Sequence, residues 1–223
     1  MTHDSGVKTK KSRILIVDDH PIVRRGLREL LADEPDLEAC GEAEDVAGAL
    51  RLVETLSPDA VVIDLSLKGG HGLELIQEIK ARGRPLKMLV STMHDESLFA
   101  ERVLRAGAMG FISKQESPDK IIGALRQVLR GEIYLSPRMA NRILHRLASG
   151  QSFEIAPVDS LSNRELQVFE MIGQGLATKQ IARKLDLSPK TIEAHREKIK
   201  AKLNLKSGAE LSRHATQWVL ENA

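Results

Sequence analysis

The sequence of 223 residues predicts an α/β unit, five parallel strands alternating with helices, followed by a smaller all-helical unit. Three observations lead there. Short apolar, β-branched runs alternate with longer amphipathic stretches as far as residue 130, the pattern of a parallel sheet covered by helices on both faces. After Leu161 the hydrophobic period is helical throughout. The charge also changes sign: residues 13–130 carry 16 basic and 20 acidic side chains and residues 160–223 carry 11 and 7, although the whole chain is only +2.

The strands are expected at 14–17, 37–39, 60–63, 88–91 and 110–112. Between them, Val23, Leu27, Leu30 and Leu31, then Leu75, Ile76 and Ile79, then Ile121, Leu125, Val128 and Leu129 recur at helical spacing and are expected in the core. Ser117 and Pro118 resemble an N-cap and first helical residue, and Gly131 a C-terminal stop. Residues 131–159 are expected to be a linker with one short helix, through Met139, Ile143, Leu144 and Leu147, and a loop-forming hinge, Ser149–Ser152 and Ala156–Pro157. In the last region, 160–223, Ser162-x-x-Glu165 is a capping box, Leu166, Phe169, Met171 and Ile172 form a stripe, and 178–185 is a second helix. Asp186 and Leu187 turn the chain into a helix capped by Ser188 and Pro189, with Ile192, Ile199 and Leu203 inward, and 209–220 closes the unit. The two short helices with a tight turn between them read as a helix-turn-helix, whose second helix enters a DNA major groove; a plain helical bundle is the alternative.

Composition excludes several classes. At 42% hydrophobic and 29% charged the chain is not wholly disordered, and no apolar run reaches the ~20 residues a spanning helix needs. Residues 1–11, with Ser12 the expected flexible leader, are polar and basic without the apolar core of a secretory signal, so a cytoplasmic location and no membrane partner are expected. Cys40 is the single cysteine and reads as a small buried hydrophobe.

Open parallel sheets bind ligands beyond the carboxyl ends of their strands. There the sequence places Asp18 and Asp19 after the first strand, Asp64 after the third, Ser91 and Thr92 at the fourth, and Ser113 and Lys114 at the fifth. Taken singly, Asp18, Asp19, Asp64 or Thr92 could cap a helix and Lys114 could be a solvated lysine. Four strand ends that all carry groups suited to one phosphoryl site are not explained that way. Clustered carboxylates repel unless a hard cation such as Mg²⁺ holds them, and with it one carboxylate can attack a phosphoryl group while a lysine neutralises the equatorial oxygens.

The segments ILIVDDHP (14–21), AVVIDLSL (60–67), MLVSTMHDE (88–96) and GFISKQES (110–117) make residues 13–130 resemble the receiver domains of two-component response regulators. That resemblance implies a flavodoxin-like fold and Asp64 as acceptor of a phosphoryl group from a sensor histidine kinase. It further implies Mg²⁺ held by Asp18, Asp19, Asp64 and the Ser66 carbonyl, with Lys114 assisting and Thr92 and Phe111 as a switch pair. The glycine-rich stretch Lys68–Gly72 departs from the usual proline-containing turn, so it is expected to be mobile with His71 exposed; His20 could line the site.

Residues 161–207 resemble the LuxR-type DNA-binding domain, and the two resemblances together imply the NarL/FixJ type of response regulator, a transcription factor acting as a homodimer on double-stranded DNA. At 100° per residue, Lys190, Glu193, Ala194 and Glu197 point away from the inner stripe toward base edges, and Lys179, Arg196, Lys198, Lys200 and Lys206 suit phosphates. His195 falls near the inner stripe and is expected to pack. Glu193 either accepts from a cytosine amino group or steadies Arg196, and the sequence does not choose. The opposite charges and the hinge imply that the first unit masks the second until it is phosphorylated. Two rivals remain: a phosphohydrolase forming an aspartyl phosphate, which leaves 161–223 without purpose, and a DNA-binding protein with an inert receiver, against which the intact rim argues.

Overall fold

The computed structural model describes residues 10–68, 70–83, 85–148 and 157–222. The hinge residues 149–156 and most of the leader lie outside them. The chain divides into two compact units, one running to Ser136 apart from Ser97–Phe99, the other comprising Ser97–Phe99 and the chain from Pro137.

The first unit is the expected alternation. Strands β1 (Ser12–Val17), β2 (Leu37–Ala43), β3 (Ala60–Ile63), β4 (Lys87–Thr92) and β5 (Gly110–Ser113) form one parallel sheet in the order β2-β1-β3-β4-β5. They alternate with α1 (Pro21–Ala32), α2 (Val46–Leu56), α3 (Gly72–Ala81), α4 (Glu96–Ala106) and α5 (Pro118–Leu129). The central strands β1, β3 and β4 carry unbroken apolar runs (14–17, 60–63 and 88–90) because both faces of the sheet are covered there. Ile14, Ile16, Leu37, Val62, Leu89 and Ile112 meet Leu27 and Leu31 of α1 and Ile122, Leu125 and Val128 of α5, and on the opposite face Leu15 meets Leu52 and Leu56 of α2 beside Gly41. Each fully buried aliphatic side chain of this kind contributes roughly 1.5–3 kcal/mol.

Strand β2 extends to Ala43, four residues beyond the apolar stretch 37–39, because as an edge strand it is only half-buried and its exposed residues hide it from a hydrophobic reading. Gly131 takes φ +86 just beyond α5, the left-handed conformation that ends helices, whereas the Ser117 side chain makes no cap hydrogen bond and Pro118 alone marks the start. After the turn Tyr134 bridges to Gly110: its N–H donates to Met109 O (2.9 Å) and its carbonyl accepts from Phe111 N–H (3.0 Å), so the departing chain is laid along β5.

The stretch after β3 corrects the expectation of an exposed His71. Ser66–Leu67 pairs antiparallel with Gly70–His71, and His71 is 1% exposed. Its Nδ1 accepts from Leu73 N–H (3.1 Å) and its own N–H donates to Glu74 (3.4 Å), so it caps α3 reciprocally. A histidine is an uncommon N-cap, so its short-range chemistry carried no signal. Gly72 follows it for a steric reason. Its N–H donates to Leu65 O (2.9 Å), and a Cβ there would lie 2.2 Å from the Asp64 carbonyl oxygen.

The second unit holds α6 (Pro137–Ala148), a 3₁₀ turn at Pro157–Ser160, α7 (Asn163–Gly173), α8 (Thr178–Lys184), α9 (Pro189–Lys202) and α10 (Gly208–Asn222). The Ser162/Glu165 capping box forms as expected. The α7 stripe is wider than the sequence indicated: Leu166, Val168, Phe169 and Ile172 are buried while Met171 is half-exposed. Helix α7 packs against both α9 and α10, so it buries most of its circumference, including Gln167. At the α7–α10 crossing a Cβ on Gly173 would stand 2.5 Å from Ala215 O, and Trp218 packs edge-on to Phe169 at 5.3 Å. Among the described residues no helix is long and apolar enough to cross a membrane.

Gly72→Ala forces the start of α3 away from the end of β3. Overpacking of this kind costs about 1–3 kcal/mol. We expect a lower first-unit midpoint in urea unfolding followed by circular dichroism, whereas Gly123→Ala, with nothing within 4 Å of its Cβ, leaves it unchanged or raised.

Candidate functional site

The sheet order reverses between β1 and β3, and the crevice beyond their carboxyl ends is where such a sheet places a ligand. Asp18 and Asp64 terminate these neighbours, tied in register by Asp64 N–H to Val17 O (2.8 Å). Lys114, after β5, donates from Nζ to Asp18 Oδ2 (2.6 Å) and Asp64 Oδ2 (2.7 Å), and its N–H donates to Thr92 O (2.9 Å). Asp18, Asp64, Thr92 and Phe111 are each at most 3% exposed. Sequence reasoning therefore placed these groups on one rim, and the fold brings the charged ones into direct contact.

Burial alone would depress the Lys114 ammonium, but the charge of Asp64 and hydrogen bonds to Asp18 and Asp64 outweigh it and hold its pKa above the usual lysine value. Asp19, with less help from the lysine, has its carboxyl pushed upward by burial and by Asp64 and Asp18, against the opposing pull of His20 and Lys114. His20 Nδ1 lies 2.7 Å from Asp19 Oδ1 and 3.2 Å from Asp18 Oδ1. One ligand atom from each of Asp18, Asp19, His20 and Asp64 falls within 4.8 Å of the others. Asp64 Oδ1 is buried without a hydrogen-bond partner among the described residues. A buried carboxylate oxygen in that condition is costly unless a cation or an electrophile meets it, so the donor set fits a divalent cation and a nucleophilic Asp64.

Two contributors lay beyond the sequence reading. Arg24 Nη1 donates to the Asp18 carbonyl (2.6 Å), fixing the β1–α1 turn from one turn into α1. His94 Nε2 meets Ser66 Oγ at 3.0 Å, and its N–H reaches Thr92 Oγ1 at 3.4 Å. Only the offsets of two residues from Asp64 and from Thr92 could have pointed to the His94–Ser66 pair. Cys40 is half-buried rather than buried, with burial raising its thiol pKa.

In the second unit, α8 and α9 are joined by a turn in which Asp186 takes φ +51 and Leu187 N–H donates to Ala182 O (2.9 Å). Ser188 caps α9 through Thr191 N–H, and Ile192 and Ile199 are fully buried, so Lys190, Glu193, Ala194 and Glu197 face outward and are exposed. Lys179, Lys198 and Lys206 are exposed as well. Arg196 and Lys200 are more sheltered, at 19% and 20%, and each is paired on its own helix, with Glu193 (3.6 Å) and Glu197 (2.9 Å). Glu193 also accepts from the Thr178 hydroxyl (2.7 Å), which favours its steadying role. His195 is half-buried, its Nδ1 sealed from solvent and its pKa lowered by burial, as a packed residue would be. Lys202 ties α9 to the α7 cap through Glu165 (2.7 Å) and Ser160 O (3.1 Å).

Comparison with known proteins agrees with both halves. Residues 14–126 match the family model for the response regulator receiver domain, and residues 159–215 match that for bacterial regulatory proteins of the luxR family. The response regulator GacA of Pseudomonas aeruginosa is 36% identical over 200 residues, 90% of this chain and 93% of its own. The nitrate/nitrite response regulator protein NarL of Escherichia coli is 31% identical over 206 residues, 92% and 94% of the two chains. A solved structure of RcsB from Salmonella enterica serovar Typhimurium, bound to a promoter in the presence of a phosphomimetic, is 27% identical with a TM-score of 0.59, covering 93% of this chain and 100% of that one.

A parallel α/β receiver followed by a helical DNA-binding unit defines a two-component response regulator. The chain belongs to that family, in its NarL/FixJ-type branch, and is a transcription factor.

Two variants probe the electrostatics described above. Asp19→Asn relieves repulsion in the acidic crevice and is expected to raise the first unit's Tm by a few degrees in chelating buffer at pH 7.5, about 1 kcal/mol. Because the native pKa is raised, the gain shrinks as pH falls through the carboxylate range, and differential scanning calorimetry across pH follows it. Glu165 behaves oppositely. Burial raises its pKa, but the Lys202 hydrogen bond and those within the Ser162 cap outweigh this, leaving it below the usual carboxylate value. Its stabilisation is present above the unfolded value and lost as pH falls through the native one. Glu165→Gln should lower the second unit's Tm at pH 7, by about 1 kcal/mol given the partly exposed Lys202, and the difference should shrink as pH falls below the usual carboxylate range.

Proposed function

We propose that a sensor histidine kinase phosphorylates Asp64 and that the phosphorylated chain binds promoter DNA as a homodimer to control transcription in the cytoplasm. The single observation that carries the first step is Asp64 Oδ1, buried and without a hydrogen-bond partner among the described residues, beside the Lys114 ammonium.

In the transfer, an Asp64 carboxylate oxygen attacks the phosphorus of a phosphohistidine. The new O–P bond replaces the N–P bond, and the imidazole leaves with the electron pair and takes up a proton. Asp18, Asp19, Asp64 and the Ser66 carbonyl would hold Mg²⁺. When bound, that ion supplies positive charge for the three equatorial phosphoryl oxygens. Lys114 supplies a second, fixed positive charge from the carboxyl end of β5. Thr92, freed to hydrogen-bond a phosphoryl oxygen, vacates space into which Phe111 turns, which converts a local charge change into a different surface around β5. The chain is a phosphoacceptor that takes part in its own phosphotransfer and not a turnover enzyme.

For DNA, α9 presents Lys190, Glu193, Ala194 and Glu197 to base edges. Lys179, Lys198 and Lys206 reach phosphates directly, and Arg196 and Lys200 do so under the control of their paired glutamates. A single recognition helix reads few base pairs, and a second copy doubles the half-sites and mirrors two-fold symmetry. The RcsB complex with a promoter supports this half of the reading.

Incubation of the whole chain with acetyl phosphate and Mg²⁺ should add one phosphoryl group by intact mass, absent from Asp64→Asn. An adduct on the variant, or none on the wild type, would overturn the acceptor assignment. In fluorescence anisotropy with promoter fragments, Lys198→Ala should weaken binding across sequences and reduce the slope of log K against log salt by about one.

A further inference from the structure

The mechanism leaves one residue of the crevice without a task. His20 stands at the N-cap of α1, yet its side chain makes no cap hydrogen bond, in a position where Ser, Asp or Asn would ordinarily serve. The imidazole instead turns to the carboxylates, with Nδ1 at 2.7 Å from Asp19 and 3.2 Å from Asp18.

We propose that His20 is a further metal ligand, which makes this crevice favour imidazole-accepting divalent cations such as Mn²⁺ over Mg²⁺; the inference rests on the reading of the crevice as a divalent-cation site. Three features support it. The first is geometry: ligands around a six-coordinate cation of this size stand about 3 Å apart when adjacent and about 4 Å when opposed. The atoms of Asp18, Asp19, His20 and Asp64, already within 4.8 Å of one another, need only small side-chain movements. The second is rigidity. The His20 N–H is held by Asp18 Oδ1 (2.9 Å), its carbonyl accepts from Val23 (3.1 Å) and Arg24 (3.2 Å), and Pro21 follows it. Only the two side-chain torsions remain to be ordered. The third is the ring's placement: its side chain is 60% exposed, yet Nδ1 is the ring atom turned to the carboxylates, so a ligand atom faces the crevice while the ring keeps room to adjust.

The buried Oδ1 of Asp64, with no hydrogen-bond partner among the described residues and on a side chain 3% exposed, indicates independently that a cation is accommodated on this side of the crevice. Selectivity then follows from ligand chemistry. Mg²⁺ favours oxygen and keeps its waters, so an imidazole adds little for it, whereas Mn²⁺ exchanges water for nitrogen more readily and the later first-row ions more readily still.

The test uses the full chain and the variants His20→Ala and His20→Gln. Mg²⁺ and Mn²⁺ affinities are measured by calorimetric titration, and electron spin echo modulation of the Mn²⁺-bound protein reports directly bound nitrogen. The expected result is nitrogen coupling in the wild type that both variants lose, with Mn²⁺ affinity falling about tenfold and Mg²⁺ affinity staying within about twofold. Absence of nitrogen coupling in the wild type, its persistence in the variants, or an equal loss for both cations overturns the assignment. If the wild type binds neither cation, the crevice is not a cation site, and the reading beneath the inference falls with it.

Discussion

Three carboxylates brought to one rim of a sheet repel one another. At the separations found here each buried pair costs on the order of several kcal/mol at an effective dielectric of about 20. One ammonium, Lys114, offsets most of this by contacting Asp18 and Asp64 together. The arrangement is consequently poised. The lysine acts only weakly on Asp19, whose proton affinity is raised, and one oxygen of Asp64 has no hydrogen-bond partner among the described residues. A site that satisfied all its carboxylates internally would be more stable and would have no use for a cation or a phosphoryl group. The residual cost is borne by the core beneath, where β1 and β3 are buried on both faces.

Much of this was legible in the sequence because each signal was local. Strand ends follow from apolar runs, and the rim residues are simply the next letters after them. Asp18, Asp19, Asp64, Thr92 and Lys114 all stand where that reading put them. What escaped it depends on contacts distant in the chain or on unusual chemistry at a common position. The glycines around His71 suggested mobility, but Gly72 exists for its closeness to Asp64, and His71 is buried as a helix cap. Likewise β2 was read short because an edge strand tolerates polar residues, and the α7 stripe too narrow because a helix wedged between two others has no free side.

The second unit shows why net charge was only a coarse guide. Its surplus of basic residues predicts a polyanion partner, yet two of the candidate phosphate contacts, Arg196 and Lys200, are held by glutamates on the same helix. Paired cations contribute less to nonspecific attraction and more to orientation. If α9 reads DNA as proposed, these pairs would trade some general affinity for a fixed presentation of its outer face, with Glu193 anchored to both Thr178 and Arg196.

The crevice also bears on how a change at Asp64 is felt elsewhere in its unit. Lys114 is bonded through its main chain to Thr92 O, and it directly follows the strand that carries Phe111. That strand is short, four residues, and its Phe111 N–H and the Met109 carbonyl before it hold Tyr134 of the departing chain by two backbone hydrogen bonds. Under the proposed function, phosphorylation of Asp64 would alter the pull on Lys114, which follows a strand fixed on one side by its ladder hydrogen bonds to β4. The other edge of β5 is held by Tyr134, so under the proposed function the strand's two fixed sides are the β4 ladder and the departing chain. The electrostatic compromise at the rim and the anchoring of the linker are in this sense two ends of one mechanical element.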